Sequence, residues 1–405
     1  MPNIIDADML SLFGQLDEYI ESQFETWRSW RRHLHSNPEL SWEEVETTRF
    51  IRKQLKRMGL DLVPGPQGLG GWIDLRASGT GDRWIAYRGD IDAIPVHEET
   101  GHDFCSQNPG VMHACGHDVH TTVALGVCDT IRHVMSQNLF DKPLNLRVIF
   151  QPAEEVAQGA AAMMNLGVLE DIDCIFAMHV DASREVGQIG YRDGPQTACS
   201  EEIRVQFEAE GGHSARPHET ADPLFAATQF INAAYASVPR ITDPRRAEVL
   251  TFCHIEGGKF ANVIPAEVKI RGTLRTVDPM ARQRILSHLE KLAVATTQTT
   301  GVQVTTNLGV ASPSVVNNPA VNQLLVTAAR TFLPDDSIQE VEPSLGGEDF
   351  AFYQKNVPGA LLRVGSARGE RGRAHLHSPH FDVDEEVIRV AVALFTRSIL
   401  KWAQG

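Results

Sequence analysis

The chain has 405 residues, of which 42% are hydrophobic and 22% charged, and its formal net charge is −15. This length exceeds what one ordinary core organises and predicts two domains. The negative charge argues against a nucleic-acid or anionic-membrane partner, because either would require a basic surface. No segment has the apolar length of a membrane helix, and residues 1–20 lack the features of a signal peptide. The six cysteines form no CxxC pair, which is typical of reduced thiols in a cytoplasmic protein.

The first part of the chain predicts two helices and two turns. Aromatic residues at three- and four-residue spacing predict a helix over residues 20–34. Ser41 and Glu44 have the spacing of a capping box and predict the start of a second helix. The glycine-rich segment 65–71 lacks the spacing of a dinucleotide-binding loop, so we interpret it as a turn, as we do Gly79–Gly81.

Three short apolar segments, 84–87, 146–150 and 174–178, each lead into polar residues that can do chemistry. With a helical segment over 121–134 between them, they are typical of parallel strands in a βα layout. Ligands of such sheets bind at the carboxyl ends of the strands. We therefore expect the polar residues that follow these segments to converge on one edge. They are Asp90, Asp92, Glu154, Glu155 and His179.

The segment Met112–Thr122 (MHACGHDVHTT) concentrates metal-binding side chains. Its candidates are His113, Cys115, His117 and His120. Imidazole and thiolate are ligands that transition metals prefer. The first three candidates alternate along the chain, so an extended backbone would place them on one side. Chance clustering in a loop is the alternative, and the metal-binding residue types downstream argue against it.

From about residue 200 the pattern indicates a separate unit. Its elements are expected as a strand over 202–208, a helix over 222–238, strands over 248–255 and 267–276, a helix over 279–297 and a strand over 302–307. This order describes an inserted α+β domain of about 110 residues. Residues 1–199 and 312–405 are then one domain and residues 200–311 the other. Residues 312–405, the returning segment that completes the first domain, carry two polar clusters, at 346–350 and 375–382.

These residues suit a metal site with more than one ion. The candidate ligands are Cys115, His117, Glu155, His179 and one of His375, His377 and His380. Five ligands exceed the need of one tetrahedral ion with an open position and favour two ions that share a water. The pair Glu154-Glu155 allows one carboxylate to bind metal while the other acts as general base. The alternative for this pair is a solvated helix start.

Other hydrolytic motifs are missing. The sequence has no HExxH motif, no deaminase CxxC and no phosphate-binding P-loop. Gly212–Arg216 comes close to the GxSxG motif of serine hydrolases but ends in arginine, so Ser214 is interpreted as an ordinary residue.

Eight motifs, in this order, resemble the dinuclear-metal aminoacylase and carboxypeptidase superfamily. They are RRHLHSNPELSWEE, YRGDIDAIP, MHACGHDVHTT, QPAEE, GGHSARPH, NVIP, GGEDF and HSPHFD. The likeness spans nearly the whole chain and is closer to the amidohydrolase branch, the hippurate hydrolases and auxin–amino acid conjugate hydrolases. MHACGHD together with QPAEE is the most specific part of it.

The resemblance implies an α/β catalytic domain, with a mixed, mostly parallel sheet flanked by helices, and an inserted ferredoxin-like α+β lid and dimerisation domain. It selects His377 among the three late histidines. The implied metal ligands are Cys115, His117, Glu155, His179 and His377. It also implies Glu154 as general base, His213 as the residue that stabilises the oxyanion, and Asn262 and Arg275 as residues facing the substrate. Asp92 is expected to support a ligand.

The expected function is that of a cytoplasmic amidohydrolase that cleaves N-acyl or N-aroyl amino acids with metal-activated water. Two divalent ions are implied, and the soft ligand Cys115 favours zinc, cobalt or nickel, with manganese left open. The partners expected are a small-molecule substrate and a second copy of the chain, in a homodimer or higher homo-oligomer. A dipeptidase or carboxypeptidase is the alternative enzyme. A non-catalytic metal-binding or ligand-binding relative is a further alternative, against which Glu154 argues.

Overall fold

The computed structural model describes residues 7–76, 83–243, 245 and 248–404. The expected turn at Gly79–Gly81 lies outside these residues. The chain forms two compact units. Unit 1 comprises Met1–Gln196, Val315–Glu342 and Asp349–Gly405, and unit 2 comprises Thr197–Ser314 and Pro343–Glu348. Within the described ranges, none of the helices combines the length and the apolar character that crossing a membrane requires.

The helices and strands are numbered along the chain. The helices are α1 (Ala7–Ser36), α2 (Val45–Arg57), α3 (His117–Ser136), α4 (Gly159–Met164), α5 (Pro223–Ile241), α6 (Pro279–Thr300), α7 (Pro319–Ala329) and α8 (Glu386–Gln404). The strands are β1 (Val63–Pro64), β2 (Gly71–Arg76), β3 (Trp84–Asp90), β4 (Asn145–Gln151), β5 (Ile172–Glu185), β6 (Ile189–Tyr191), β7 (Gly194–Pro195), β8 (Cys199–Glu208), β9 (Gly212–His213), β10 (Glu248–Gly257), β11 (Val263–Ile264), β12 (Glu267–Thr276), β13 (Gln303–Ser312), β14 (Val316–Asn317), β15 (Ile338–Glu340) and β16 (Gly359–Ala367).

An eight-stranded mixed sheet forms the centre of unit 1, in the order β1-β2-β4-β3-β5-β16-β6-β15. The central strands β4, β3, β5 and β16 run parallel to one another, and Tyr87 of β3 lies opposite Val148 and Phe176. All residues of β3 are buried because helices cover both faces. Tyr87 packs in the core that includes α1, α3 and α8, and Ala86 packs in the core that includes α4. The expected α/β class with a mostly parallel sheet is confirmed.

Strand β5 is longer than the apolar segment 174–178 suggested. It continues to Glu185 because β16 pairs with it beyond His179. His179 therefore lies inside a strand, and the expectation that it follows the strand end was wrong.

The capping box expected at Ser41 and Glu44 was also wrong. Helix α2 begins at Val45, and the Glu39 carboxylate accepts hydrogen bonds from the backbone N–H groups of its first turn, including that of Thr47 at 2.8 Å. The Ser41 hydroxyl donates instead to Asp92 at 2.7 Å, a residue 51 positions later. Because Ser41 makes this contact with a residue distant in sequence, it does not cap α2 as its spacing from Glu44 suggested.

Unit 2 contains a four-stranded antiparallel sheet in the order β10-β12-β8-β13. Along the chain its elements run β8, α5, β10, β12, α6 and β13, the β-α-β-β-α-β order of a ferredoxin-like fold. Alternate residues of β8, such as Val205 and Phe207, are buried in a core shared with α5 and α6. Asp222 and Asp278 cap these two helices, each followed by a proline at the first helical position.

Candidate metal centre

The histidine- and cysteine-rich segment is a turn followed by a helix, and not the extended backbone that would place His113, Cys115 and His117 on one side. Gly116 has φ of 83°, and α3 begins at the next residue. A side chain at Gly116 would place its Cβ 2.5 Å from Val180, so the turn requires glycine. The turn brings Cys115 and His117 together. His113 is buried elsewhere, and neither of its ring nitrogens has a hydrogen-bond partner among the described residues.

The five expected ligands form two overlapping groups whose donor atoms lie within 4.8 Å of one another. One group is Cys115, His117 and His179, and the other is Cys115, Glu155 and His377. Cys115 Sγ is 3.5 Å from His179 Nε2, and Glu155 Oε1 is 3.5 Å from His377 Nε2 and 3.9 Å from His117 Nε2. Two ligands of one tetrahedral ion lie roughly 3.4 Å apart, given bonds of about 2.1 Å. These separations are therefore those of residues around a metal.

Two donor atoms of these groups make no hydrogen bond to any described residue. His117 Nε2 and Glu155 Oε1 are buried and have no hydrogen-bond partner among the described residues. Leaving two such atoms unsatisfied is costly unless a ligand completes them. Because they lie beside a thiol and two further imidazoles, the residues present fit two divalent ions.

Asp92 orients two of these ligands. His117 donates from Nδ1 to the Asp92 carbonyl oxygen at 3.0 Å and to Oδ1 at 3.2 Å. The other carboxylate oxygen, Oδ2, accepts from the backbone N–H of Glu155 at 3.0 Å. These bonds leave His117 Nε2 free for an ion, as expected of a carboxylate that supports a ligand.

His179 and His120 differ in whether a ring nitrogen remains available to bind an ion. His179 donates from Nδ1 to the Val180 carbonyl at 2.8 Å, which turns its Nε2 towards Cys115. His120 uses both nitrogens, because Nδ1 donates to Asp90 at 2.7 Å and Nε2 accepts from the Val180 N–H. Asp90, His117 and His120 are close enough to hold an ion. We assign His120 to the support of β5 because neither of its nitrogens is free.

The surroundings of His117 and His179, two of the expected ligands, shift their pKa values in opposite directions. Burial alone lowers the pKa of His117, but the negative charge of Asp90, the adjacent Cys115 side chain and the hydrogen bond to Asp92 raise it well above its ordinary value. Burial, followed by the neighbouring His120 and Arg363 side chains, lowers the pKa of His179 well below its ordinary value. The surroundings of His117 therefore favour a positive charge, and those of His179 keep its imidazole neutral.

Cys115 and His377 carry protons that a metal would displace. Burial, and then the charge of Glu155, raise the pKa of the Cys115 thiol. The neighbouring Cys115 and Glu155 side chains raise the pKa of His377 to about 10. Since metals bind thiolate and neutral imidazole, loading of this site releases protons and weakens at low pH.

Glu154 and Glu155 lie in a tight turn, not at a helix start. Ala153 has φ of 54°, and α4 begins only at Gly159. Glu154 is buried, accepts from the Asp349 N–H at 3.3 Å and has Oε2 4.0 Å from His117 Nε2. The turn thus places a carboxylate beside the two ligand groups, and Glu154, His117 and Glu155 form a further group whose donor atoms lie within 4.8 Å of one another. This is the geometry that a general base requires.

The returning segment delivers His377 and not its two neighbours. His377 has φ of 66°, a strained conformation for a residue with a side chain, and its N–H donates to the Ala114 carbonyl at 2.8 Å. This bond holds the His377 turn against the Cys115 turn. His375 and His380 are exposed and belong to neither ligand group, and the His380 ring contacts Glu99.

The remaining expected site residues belong to unit 2. His213 pairs with Val263 between β9 and β11, and Asn262 accepts through its carbonyl from the Ser214 N–H at 3.2 Å. The His213 Nδ1 accepts from the Ala215 N–H at 3.1 Å, so Nε2 carries the proton of the neutral ring. Arg275 donates to the Leu345 carbonyl at 2.6 Å. His213 and Asn262 thus share one turn, while Arg275 borders the glycine-rich segment 343–348.

Sequence reasoning missed the buried network that holds Glu154. Arg88 donates to Asp90 at 2.6 Å and to Asp349 at 2.8 Å, and the Gln151 amide also donates to Asp349. Asp349 in turn presents its N–H to Glu154. The polar cluster at 346–350 was visible in the sequence. Arg88, the partner of Asp349, could not be found in this way because it lies 261 positions earlier.

A second missed network lies behind His117. Arg31 is fully buried and donates to Asp118, the residue after His117, at 2.8 Å. Its Nη1 lies 3.5 Å from Glu385 Oε1, and its Nη2 lies 3.7 Å from Asp382 Oδ1. One arginine of α1 therefore links the start of α3 to the segment that follows His377.

A mostly parallel α/β sheet, two overlapping ligand groups and an adjacent buried carboxylate define a metal-dependent hydrolase. The model of peptidase family M20/M25/M40 matches residues 86–401. The chain belongs to this family and is a metal-dependent amidohydrolase, which confirms the resemblance found in the motifs.

Three relatives illustrate the likeness. The N-acetyl-L-cysteine deacetylase of Bacillus subtilis is 36% identical over 364 residues, 88% of this chain and 83% of that protein. An IAA-amino acid hydrolase of Arabidopsis thaliana is 34% identical over 372 residues, 90% of this chain and 82% of that protein. The crystal structure of a dinuclear metal-binding M20 peptidase from Bacillus subtilis has a TM-score of 0.82 and 31% identity, covering 95% of this chain and 99% of that one.

Proposed function

We propose that the chain hydrolyses the amide bond of N-acyl or N-aroyl amino acids. The observation that carries the proposal is the buried Glu154 carboxylate, which lies 4.0 Å from His117 and is additional to the five residues expected as ligands. A protein that only bound metal would not need this second carboxylate. The names of the Bacillus deacetylase and the Arabidopsis hydrolase, which both describe amides of amino acids, support the substrate class.

We assign the metal ligands as Cys115, His117, Glu155, His179 and His377. Two divalent ions bound there would lower the pKa of a water molecule and polarise the amide carbonyl. Glu154 accepts the proton of the attacking water and passes it to the leaving nitrogen as the C–N bond breaks. The carboxylic acid and the free amino acid are the products.

Unit 2 is proposed to contribute the remaining groups. His213 carries its proton on Nε2, which suits the donation of a hydrogen bond to the developing oxyanion. Asn262 and Arg275 are proposed to face the substrate. We further propose that the protein is a cytoplasmic homo-oligomer. Strand β10 is an edge strand with mostly exposed side chains, which suits unit 2 as the dimerisation surface and can be tested by sedimentation.

The experiment that tests the proposal is a hydrolysis panel with protein loaded separately with zinc, manganese, cobalt or nickel. N-acetyl and N-benzoyl amino acids should be cleaved faster than dipeptides or longer peptides. The reverse preference would establish the dipeptidase or carboxypeptidase alternative. Glu154→Ala should reduce kcat at least about 1000-fold while metal content stays that of the wild type. Full activity in this variant would refute the assignment of the base.

A further inference from the structure

A cavity of about 460 Å³ in unit 1 adjoins the ligand-bearing segments. Its walls include Val180, which follows His179, and Leu376, which precedes His377. The mechanism proposed above uses no residue of this cavity. The charged residues that line it decide what it can bind.

Arg363 of β16 reaches this cavity from beside a metal ligand. It lies opposite His179 in the parallel pairing of β16 with β5, and opposite Gly190 in the antiparallel pairing with β6. Directly paired residues of neighbouring strands share one face of the sheet and are about 5 Å apart. The Arg363 side chain therefore starts on the same face as the His179 imidazole and one strand away from it.

Of the two arginines that line this cavity, Arg363 is the one without a partner among the described residues. Among the described residues it makes no hydrogen bond or ion pair, although its side chain is half-buried. Arg184 is paired with Asp181 at 3.3 Å, and Glu342 lies 3.7 Å from Arg192. Both acidic residues of the cavity are thus engaged elsewhere, and Arg363 leaves one positive charge available.

The floor of the cavity keeps Arg363 in place. A Cβ at Gly190 would lie 3.1 Å from the Arg363 Cβ, 3.0 Å from Arg184 Nε and 2.6 Å from Val341. Since real side chains do not approach this closely, only glycine at this position allows three cavity residues to pack together. The available charge therefore sits on a packed sheet and not on a mobile surface loop.

We propose that Arg363 binds a carboxylate of the substrate and thereby selects anionic N-acyl amino acids. A guanidinium presents two parallel N–H donors that match a carboxylate, and neighbouring acidic residues do not compete for them. The inference rests on the proposed function, because it assumes that the substrate reacts beside His179. The carboxylate is either the α-carboxylate of the released amino acid or a second carboxylate elsewhere in the substrate.

The test compares pairs of substrates that have the same shape and differ by one carboxylate. N-acetylmethionine is paired with N-acetylmethioninamide, and N-acetylglutamate with N-acetylglutamine. Arg363→Ala should lower kcat/KM for the member of one pair that carries the additional carboxylate by about 10- to 100-fold, chiefly through KM, relative to its amide counterpart. Arg363→Lys should restore part of the loss. Arg330→Ala, at an exposed arginine that directly follows α7, is the matched control.

Each outcome of this comparison has one meaning. A loss in the methionine pair identifies the α-carboxylate, and a loss confined to the glutamate pair identifies a second carboxylate. An equal loss for both members of both pairs, or no loss in either pair, overturns the proposal. Calorimetric binding of N-acetylglutamate and N-acetylmethionine to metal-loaded Glu154→Ala protein, with and without Arg363→Ala, does not depend on turnover. It tests Arg363 even where the wild type hydrolyses none of these amides, a result that would refute the proposed function alone.

Discussion

The imidazole of His117 donates from Nδ1 to the carbonyl oxygen of Asp92 at 3.0 Å and lies 3.2 Å from the Asp92 carboxylate. This contact fixes the tautomer, so that Nε2 is the nitrogen available to an ion. The same carboxylate accepts from Ser41 and from the backbone of Glu155. One buried acid therefore ties a residue of the first segment and two expected ligands into a single arrangement.

Asp92→Asn should weaken metal binding without abolishing it. Asparagine keeps the shape and one acceptor oxygen, but it removes the charge that favours the proton on His117 Nδ1. Changes to such supporting groups typically cost about 10- to 100-fold in affinity. Competition with a chelator measures the effect. An affinity equal to that of the wild type would show that His117 is oriented by other contacts.

Cys115→Ala should lose metal and activity together, because Cys115 belongs to both ligand groups. Elemental analysis after loading should show less than two ions per chain, and hydrolysis should fall by at least about 100-fold. The control is Cys253→Ala, an exposed cysteine of unit 2. Retention of two ions and full activity in Cys115→Ala would overturn the ligand assignment.

Arg31→Met should destabilise the protein far more than Arg32→Ala. Arg31 is fully buried against Asp118, and its loss leaves a buried carboxylate without its partner, which costs about 3–5 kcal/mol. Arg32 pairs with the same Glu385 at 2.6 Å, but its side chain is 41% exposed, so its loss costs about 1 kcal/mol or less. Denaturant titration of metal-free protein compares the two. Equal effects would mean that the Arg31 network adds no stability.

Glu44 should make stability fall as pH rises. Burial, and next the charge of Asp92, raise its pKa from 4.5 to about 7. A folded-state pKa above the unfolded value means that stability is complete below about pH 4.5 and declines as pH rises through about 7. The full shift corresponds to roughly 3 kcal/mol.

Glu44→Gln removes this titration and keeps an acceptor for the Ala153 N–H. The variant should match or fall below the wild type at pH 5 and exceed it at pH 8, in midpoints of denaturation measured without metal. Parallel pH profiles for the two proteins would contradict the raised pKa.

The sequence by itself determined the residue types of the site and the order of the elements. The alternation in β8 and the helical spacing in α5 and α6 are local patterns, and the elements of unit 2 lie where those patterns predicted. The motifs containing Cys115 and Glu155 likewise indicated a metal site before any distance was known.

Tertiary structure decided how those residues are oriented. The turn at Gly116, the cap of α2 by Glu39 and the continuation of β5 past His179 all depend on partners distant in sequence. Hydrogen bonds that assign a free nitrogen to His117 and none to His120 depend on Asp92 and Asp90 in the same way. A periodic pattern reports which face of an element is buried, whereas the direction of a polar side chain is set by the donor or acceptor that folding places beside it.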